Sequence, residues 1–528
     1  MVAEPAPSAW SPLRQGAFRA VWLASLVSNI GTWMQSTSAA WLMTSLTASP
    51  LLVALMQTAA SLPFLLLALP AGALADIVDR RHVLIATQLW MFAAAAALGG
   101  LALEGRLDAW GLLGLTFALG LGAAVMAPAW QAFVPELVPR GELPAAVALG
   151  GVSFNLARAV GPAVGGLVVA AYGASAVFAL NAASFLVVVG VLLVTRSAVR
   201  RATSSAAPER VIGAIVAGLR YARHSSPLRA VLLHCATFTL AGSALWALLP
   251  VVARRDLHLE ALGYGLLVGC LGVGAIAGAW ALPYLRGRLG ADRVLFGARL
   301  GVAAVTALLG VTHDVRLLAA AMVGGGIAWM VGMSTVNIAA QHVAPGWVRA
   351  RALAANLLVV QGGLALGSLA AGALADRVGT PQALAAFAVA MGLGAALTWR
   401  ARLHDFESLD LTPGALRPAP ELWPGADAEG APVLVTVEYD VDPADADAFA
   451  AAAVALEPIR RRDGAIEWGL YRDLESERRF VEVFLVPSWL EHLRQHERIT
   501  VSDRRVQERI NAYSTGGRAQ VSHLLGVD

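Results

Sequence analysis

Twelve runs of about twenty predominantly apolar residues dominate this 528-residue chain and leave it few ways to fold. They lie near 18–44, 50–74, 83–103, 109–134, 144–170, 174–195, 228–253, 263–284, 292–312, 315–341, 351–374 and 379–399. A bilayer core of roughly 30 Å is crossed by about 20 apolar residues in a helix, so the runs predict an all-α membrane protein of twelve transmembrane helices. A large soluble helical protein would need polar helix faces, and runs such as 84–103 and 179–195 have almost none. Charged residues are 14% of the chain, against about 25% in soluble domains, which sets aside an ordinary cytosolic enzyme. The first 17 residues lack the basic-then-apolar order of a secretory signal, so 18–44 is expected to be an uncleaved first helix. Cys235 and Cys270 sit inside apolar runs, where neither a disulfide framework nor a thiolate metal site is expected.

The longest connection between runs, 196–227, divides them into two sets of six. The expected organisation is an N-terminal segment (1–17), a six-helix bundle (18–195), a central loop (196–227), a second six-helix bundle (228–400), a Pro-rich linker (401–432) and a soluble domain (433–528). Basic loops stay cytoplasmic, and placing the N-terminus inside puts nineteen arginines on the inner side against five outside. Both termini are thus expected to be cytoplasmic. The pair Arg254 and Arg255 runs against this count. Within the central loop, Val211, Ile215 and Leu219 share one face of an amphipathic helix expected at the lipid headgroups. A weak internal repeat relates the halves: Gln131 and Pro135 to Gln341 and Pro345, then Asn155, Gly161 and Gly173 to Gln361, Gly367 and Gly379.

Polar residues inside the runs mark candidate sites. Arg158 falls near mid-bilayer, where a charge facing lipid costs at least about 2.5–3.5 kcal/mol, so it must face protein or water. No Asp or Glu lies in the interior of a run; Asn155, one turn earlier, is an available neighbour. Arg158 is either an anion-attracting group or a tie between helices. Arg299, one turn into its run, is expected to snorkel to the surface. On the first helix Ser25, Asn29, Thr32 and Ser36 recur at helical spacing beside Gln35. With Gln57, Gln131, Asn181, His234, Asn337 and Gln361 they form a candidate substrate cavity, although each singly also serves as helix-packing glue. His234 is a candidate proton carrier or a packing histidine.

The string GALADIVDRR, with Gly72, Asp76, Arg80 and Arg81, resembles the loop 2–3 signature of the major facilitator superfamily, with Ile77 and Asp79 departing from it. The resemblance implies a conformational latch there, with Gly72 permitting close helix approach. NLARAVGPAVGG resembles the superfamily's exporter-type motif through Gly161, Pro162, Gly165 and Gly166. SNIGTWMQ from Ser28, APAWQAFVPELVP from Ala127, FALNAASF from Phe178 and WLEHLRQHER near the C-terminus follow one another as in the enterobactin-exporter-like, transmembrane secretion effector branch. That resemblance implies a secondary active transporter working by alternating access. It further implies export of amphipathic small molecules such as siderophores or drugs, with protons as the coupling ion.

The region 430–528 carries a net charge of −5, which argues against nucleic acid as a partner. It reads strand (433–440), helix (443–462), strands (465–472 and 478–486), helices (488–512) and strand (519–525), a ferredoxin-like α+β pattern. It is similar to the antibiotic-biosynthesis-monooxygenase type of dimeric barrel, with Glu482, Trp489, His492 and His496 as a candidate tail pocket. His492 and His496 on one helix face lack a third ligand, so no metal or cofactor is expected. A regulatory or homodimerising module is expected; a membrane-tethered enzyme, or a facilitator-type importer, are the competing readings of the whole chain. Topology reporters fused after Arg200 and after Arg402 should both read cytoplasm, and an extracytoplasmic signal at either site overturns the two-half architecture.

Overall fold

The structure, a computed structural model, describes residues 8–195, 211–403, 409–414, 431–515 and 519–527, apart from the side chains of 68, 69, 73, 75–77, 140 and 211–216. The side chains of Asp76, Val211 and Ile215, and most of the expected linker, therefore lie outside the described residues. The chain divides into two compact units, one formed by 1–207, 233–336 and 357–400, the other by 208–232, 337–356 and 401–528.

The helices are α1 (Gly16–Leu46), α2 (Pro50–Ile77), α3 (Arg80–Leu103), α4 (Ala109–Phe133), α5 (Leu143–Tyr172) and α6 (Ala174–Val194), followed by α7 (Val211–His224), α8 (Ser226–Arg255), α9 (Ala261–Val311), α10 (Val315–His342), α11 (Arg349–Val378) and α12 (Thr380–Leu397). Ten of the described helices are long and apolar enough to cross a membrane. α9 is 51 residues long, roughly 75 Å at about 1.5 Å per residue, more than twice a bilayer core. It is broken at Gly290, whose φ of +77° is left-handed, so the two expected runs follow each other without a loop. α1 falls outside those ten although it is long enough, because Ser25, Asn29, Thr32, Gln35 and Ser36 interrupt its apolar run.

Sequence chemistry sets the helix ends. Ser49 caps α2 by accepting from the amide of Leu52, with Pro50 at the first helical position. Asp79 caps α3 and Asp108 caps α4 in the same way. Gly173 (φ +80°) separates α5 from α6, and Gly379 (φ +95°) separates α11 from α12. These two glycines are partners in the internal repeat. So are Gly161 and Gly367: a Cβ on the first would strike Trp33 of α1, and one on the second would strike Leu240 of α8.

In the second unit, β1 (Val433–Asp440), β2 (Glu467–Arg472), β3 (Arg479–Val486) and β4 (Gln520–Leu525) form one antiparallel sheet in the order β2-β3-β1-β4. Val433, Val435, Val437 and Tyr439 alternate inward along β1, the two-residue period of a half-buried strand. They pack with Phe449, Phe480, Phe484, Trp489 and Ile510 against α13 (Ala446–Ala453), α14 (Leu456–Asp463), α15 (Trp489–Arg498) and α16 (Val501–Asn511).

One expectation changes here. Residues 409–414 are part of this unit, since Val501 N donates to Thr412 O and Gly414 N to Ile499 O. In α7, Ala217 and Tyr221 turn into the unit, while Leu219, on the face expected at the headgroups, is 70% exposed. Replacing Gly379 by Val should cost about 1–2 kcal/mol through its left-handed backbone. Gly392→Val, where a Cβ meets nothing within 4 Å, should stay near neutral in the same thermal unfolding experiment.

Candidate functional site

Helices in lipid gain nothing from excluding water, so close backbone contact between small residues holds them. The Gly161–Gly166 segment of α5 makes such contacts on both sides. Toward α1, a Cβ on Gly161 would stand 2.6 Å from that of Trp33, and one on Gly165 would stand 2.9 Å from Met34 Cα. Toward α9, Gly166 faces the carbonyl of Ala261, Gly265 faces that of Pro162, and Gly272 presses on Ala159 and the carbonyl of Arg158. This seam joins the first six-helix set to the second. A parallel one runs between α2 and α11, where Gly372 meets Leu51 and Ala54 and Thr58 donates to Ala365 O.

Polar ties close the same end of the bundle. Ser49 and the Leu51 amide donate to Asp376. Arg254 lies over the ring of Trp41 at 5.1 Å, and Arg255 donates to the carbonyl of Ala48 just past the end of α1. The two arginines that run against the positive-inside count are thus placed where a helix C-terminus presents unsatisfied carbonyls and a partial negative charge.

Where α9 crosses α5 lies Arg158, 8% exposed. Its guanidinium is 5.2 Å from the centre of the Trp246 ring and 5.8 Å from that of Trp33. Among the described residues its Nε and Nη2 have no hydrogen-bond acceptor, and neither does the buried indole N–H of Trp246 have one. Desolvated cation–π contacts contribute up to about 2 kcal/mol each, enough for two indoles to offset a burial cost of about 2.5–3.5 kcal/mol. Trp246 was not legible as a partner, because nothing in sequence relates it to a residue 88 positions away.

The other polar candidates do not converge. Asn155 donates to Gly151 O instead of approaching Arg158. Gln35 accepts from Asn181 at 2.6 Å, both buried; Asn29 donates to Ser153 and Gln57 to Ser61. In the other unit Asn356 donates to Asn337. Gln131 is exposed and Gln361 half-buried. The expectation that Arg299 snorkels is wrong: it is 2% exposed and donates to Thr398, Thr237 and the carbonyl of His234, with Nη2 3.2 Å from His234 Nδ1. It needs no outlet because three hydroxyl or carbonyl oxygens replace water.

At the α2–α3 turn, Arg80 reaches Glu136 Oε1 at 2.5 Å and Arg81 donates to the carbonyls of Leu192 and Leu193 at the end of α6. Glu136 is the partner that the motif alone did not name. A Cβ on Gly72 would meet nothing within 4 Å, so the close approach expected there is not made in this conformation.

In the tail, Glu482 is fully buried and saturated by Arg460, Trp468 and Tyr439, which makes it a core anchor rather than a pocket group. Burial alone would raise its pKa, but Arg460 and the hydrogen bonds outweigh it and hold the carboxyl below its ordinary range. His492 and His496 place their Nε2 atoms 3.2 Å apart. His523 of β4 adds a third ring 4.8 Å from His492, with Trp489 packed on both. Strand register, invisible in sequence, brought His523 in. Among the described residues no group of three or more His, Cys, Asp or Glu is arranged to hold a metal.

Another set of ion pairs ties the tail within its unit. Glu491 pairs with Arg220 of α7 and Arg498 of α15, both at 2.6 Å. Arg498 stacks 4.8 Å over Trp347, and Tyr221 donates to Val343 O.

Burial, then the neighbouring His496, holds His492 down to about 3, and His496 and His523 are also lowered, chiefly by burial. An unfolded imidazole titrates near 6.5, so the unfolded chain takes up protons that the folded tail refuses. Stability is full above about pH 7 and falls as pH drops through 6.5, by about 1.4 kcal/mol per pH unit for His492. Pulse proteolysis of the tail in the full chain should show the urea midpoint falling between pH 7.5 and 5.0, with a flatter profile in His492→Phe; a flat wild-type profile goes against this.

The family profile described as transmembrane secretion effector matches residues 7–528. The multidrug efflux pump Tap of Mycolicibacterium fortuitum is 26% identical over 75% of this chain and 98% of its own. The staphyloferrin A transporter of Staphylococcus aureus is 22% identical over 67% of this chain and 89% of its own. Among solved structures, a bacterial homologue of the human lysosomal transporter Spinster, in an inward-facing and occupied conformation, shares the fold. It has a TM-score of 0.60 at 15% identity, over 75% of this chain and 98% of that one. The chain belongs to the transmembrane secretion effector family of major facilitator transporters, multi-pass membrane proteins that act on small molecules.

Proposed function

We propose that the chain is an exporter of amphipathic small molecules in the enterobactin-exporter-like branch, with twelve spans in a bacterial inner membrane and both termini cytoplasmic. The observation that carries this is the seam of α5 against α1 and α9, since the two helix sets meet through backbones at one end of the bundle. With the N-terminus inside, that end is extracytoplasmic and the state described is closed to the outside. Export then consists of parting this seam while the α2–α3 turn closes on the other side. The efflux and siderophore names of the two relatives support a drug-like or siderophore-like cargo.

Protons are the proposed coupling ion, carried by His234. Protonation there sets a second positive charge 3.2 Å from Arg299, and the repulsion is relieved by movement of α8 against α9. The tail is the proposed regulatory module, of the monooxygenase-like barrel type, and its edge strands β2 and β4 are the surfaces through which homodimers would pair.

Inverted membrane vesicles with an acidified lumen should accumulate siderophores or hydrophobic cations from a panel, and lose them on adding a protonophore. Accumulation only in right-side-out vesicles would make the protein an importer. Gly165→Leu should abolish transport at unchanged membrane abundance, whereas Gly190→Leu, where a Cβ meets nothing within 4 Å, should not. Glu491→Gln should alter the export rate without eliminating it.

A further inference from the structure

We infer that Arg158, Trp33 and Trp246 form a site for the carboxylate of an amphipathic, flat-bodied organic anion. This deepens the transporter reading and rests on it for the site's access to both sides of the membrane.

Nε and Nη2 are the two guanidinium nitrogens whose N–H bonds point side by side, the fork that a carboxylate meets in bidentate contact. Both are the atoms left without an acceptor. The buried indole N–H of Trp246 is a third donor in the same condition, 5.2 Å from the guanidinium measured at the ring centre. A cluster of donors with no acceptor, carrying one positive charge, is complementary to a ligand that brings acceptors and a negative charge.

The other buried cation of the bundle, Arg299, has only Nε without a partner among the described residues, while both its terminal nitrogens are answered. Arg299 has three oxygen partners, and Gln35 and Asn181 satisfy each other. Arg158 is instead held by ring faces, and those rings continue into an aromatic cluster. Trp33 meets Phe154 edge-on, and Trp246 meets Trp329, which packs on Phe238. An apolar, flat body matches these surfaces, while an inorganic anion would occupy the fork and leave them unused.

In the state described, the indoles cover the fork. Trp246 belongs to α8 and Arg158 to α5, so the fork opens when these helices separate. Gly272 presses on Ala159 and the Arg158 carbonyl at the same level, which places the anion site beside the seam that must part. A carboxylate on Arg158 therefore favours the state in which α8 and α5 stand apart.

The test is equilibrium binding to the full chain in nanodiscs of zwitterionic lipid, with empty nanodiscs subtracted. The probes are 2-naphthoate, its neutral analogue 2-naphthamide, 2-naphthylmethylammonium and inorganic phosphate. Naphthoate should bind on the order of tenfold tighter than naphthamide. Arg158→Gln should remove that preference while leaving naphthamide within about twofold, and Arg158→Lys should restore part of it. Trp246→Phe, which keeps a ring but loses the N–H, should weaken naphthoate alone; should Arg158→Gln not fold, this variant and Arg158→Lys carry the test. Equal binding of naphthoate and naphthamide, tighter binding of the ammonium, phosphate competing as well as naphthoate, or equal losses of both naphthyl ligands in Arg158→Gln would each overturn the site. Export by inverted vesicles without a naphthoate preference would sink this inference alone; a naphthoate preference without export would sink the exporter reading alone.

Discussion

Backbone-to-backbone contact at glycine is the constraint on which the rest of this bundle depends. A soluble core is held by apolar area removed from water, but lipid tails are as apolar as leucine, so area alone distinguishes no helix partner in a membrane. What distinguishes them here is where a Cβ is missing. α5 touches α1 at Gly161 and Gly165, and α9 at Gly166, Gly265 and Gly272; α9 in turn meets α10 at Gly274, Gly278 and Gly326. Pro162, inside α5, removes one backbone donor in the middle of this contact, so the helix is loosest where it is most tightly packed. A joint of this kind is made of shape and can part without breaking a salt bridge.

Charge is distributed to suit that joint. Arg158 sits at the crossing with Nε and Nη2 lacking an acceptor among the described residues, Arg299 is closed into one set of helices by hydroxyls and carbonyls, and Arg254 and Arg255 hold the end of α1. The three arrangements differ in what they cost to open. The exposed ties near Ala48 and Asp376 exchange protein for water and contribute little net, as surface polar contacts do. The Arg299 cluster has no such exchange available and behaves as fixed structure.

The helices were legible in the sequence because lipid imposes a length and a hydropathy that no packing detail modifies, and most expected limits lie within a few residues of the observed ends. The tail's strands were legible for the equivalent reason, a two-residue alternation along 433–440. Side-chain partners were not. Arg299 reads as a snorkelling residue because only tertiary structure supplies Thr237 and Thr398 as replacements for water. Asn155 stands one turn from Arg158 yet turns back to its own helix. His523 joined His492 and His496 through the pairing of β4 with β1, which no local pattern encodes. The proline-rich stretch after Arg400 reads as a tether, but 409–414 is held by backbone hydrogen bonds to the start of α16, and such bonds carry no residue signature.

The pairing of Arg220 with Glu491 spans 271 residues. At about 5–20 residues per second, synthesis reaches Glu491 roughly 14–54 s after Arg220 has emerged. Until residues 462 and 498 are made, α7 and the 343–347 turn lack the two arginines that later lie over the rings of Tyr221 and Trp347. Assembly of this unit is thereby ordered in time: its first-made pieces wait for its last, and a chain ended by a premature stop leaves an aromatic surface uncovered that the finished protein conceals.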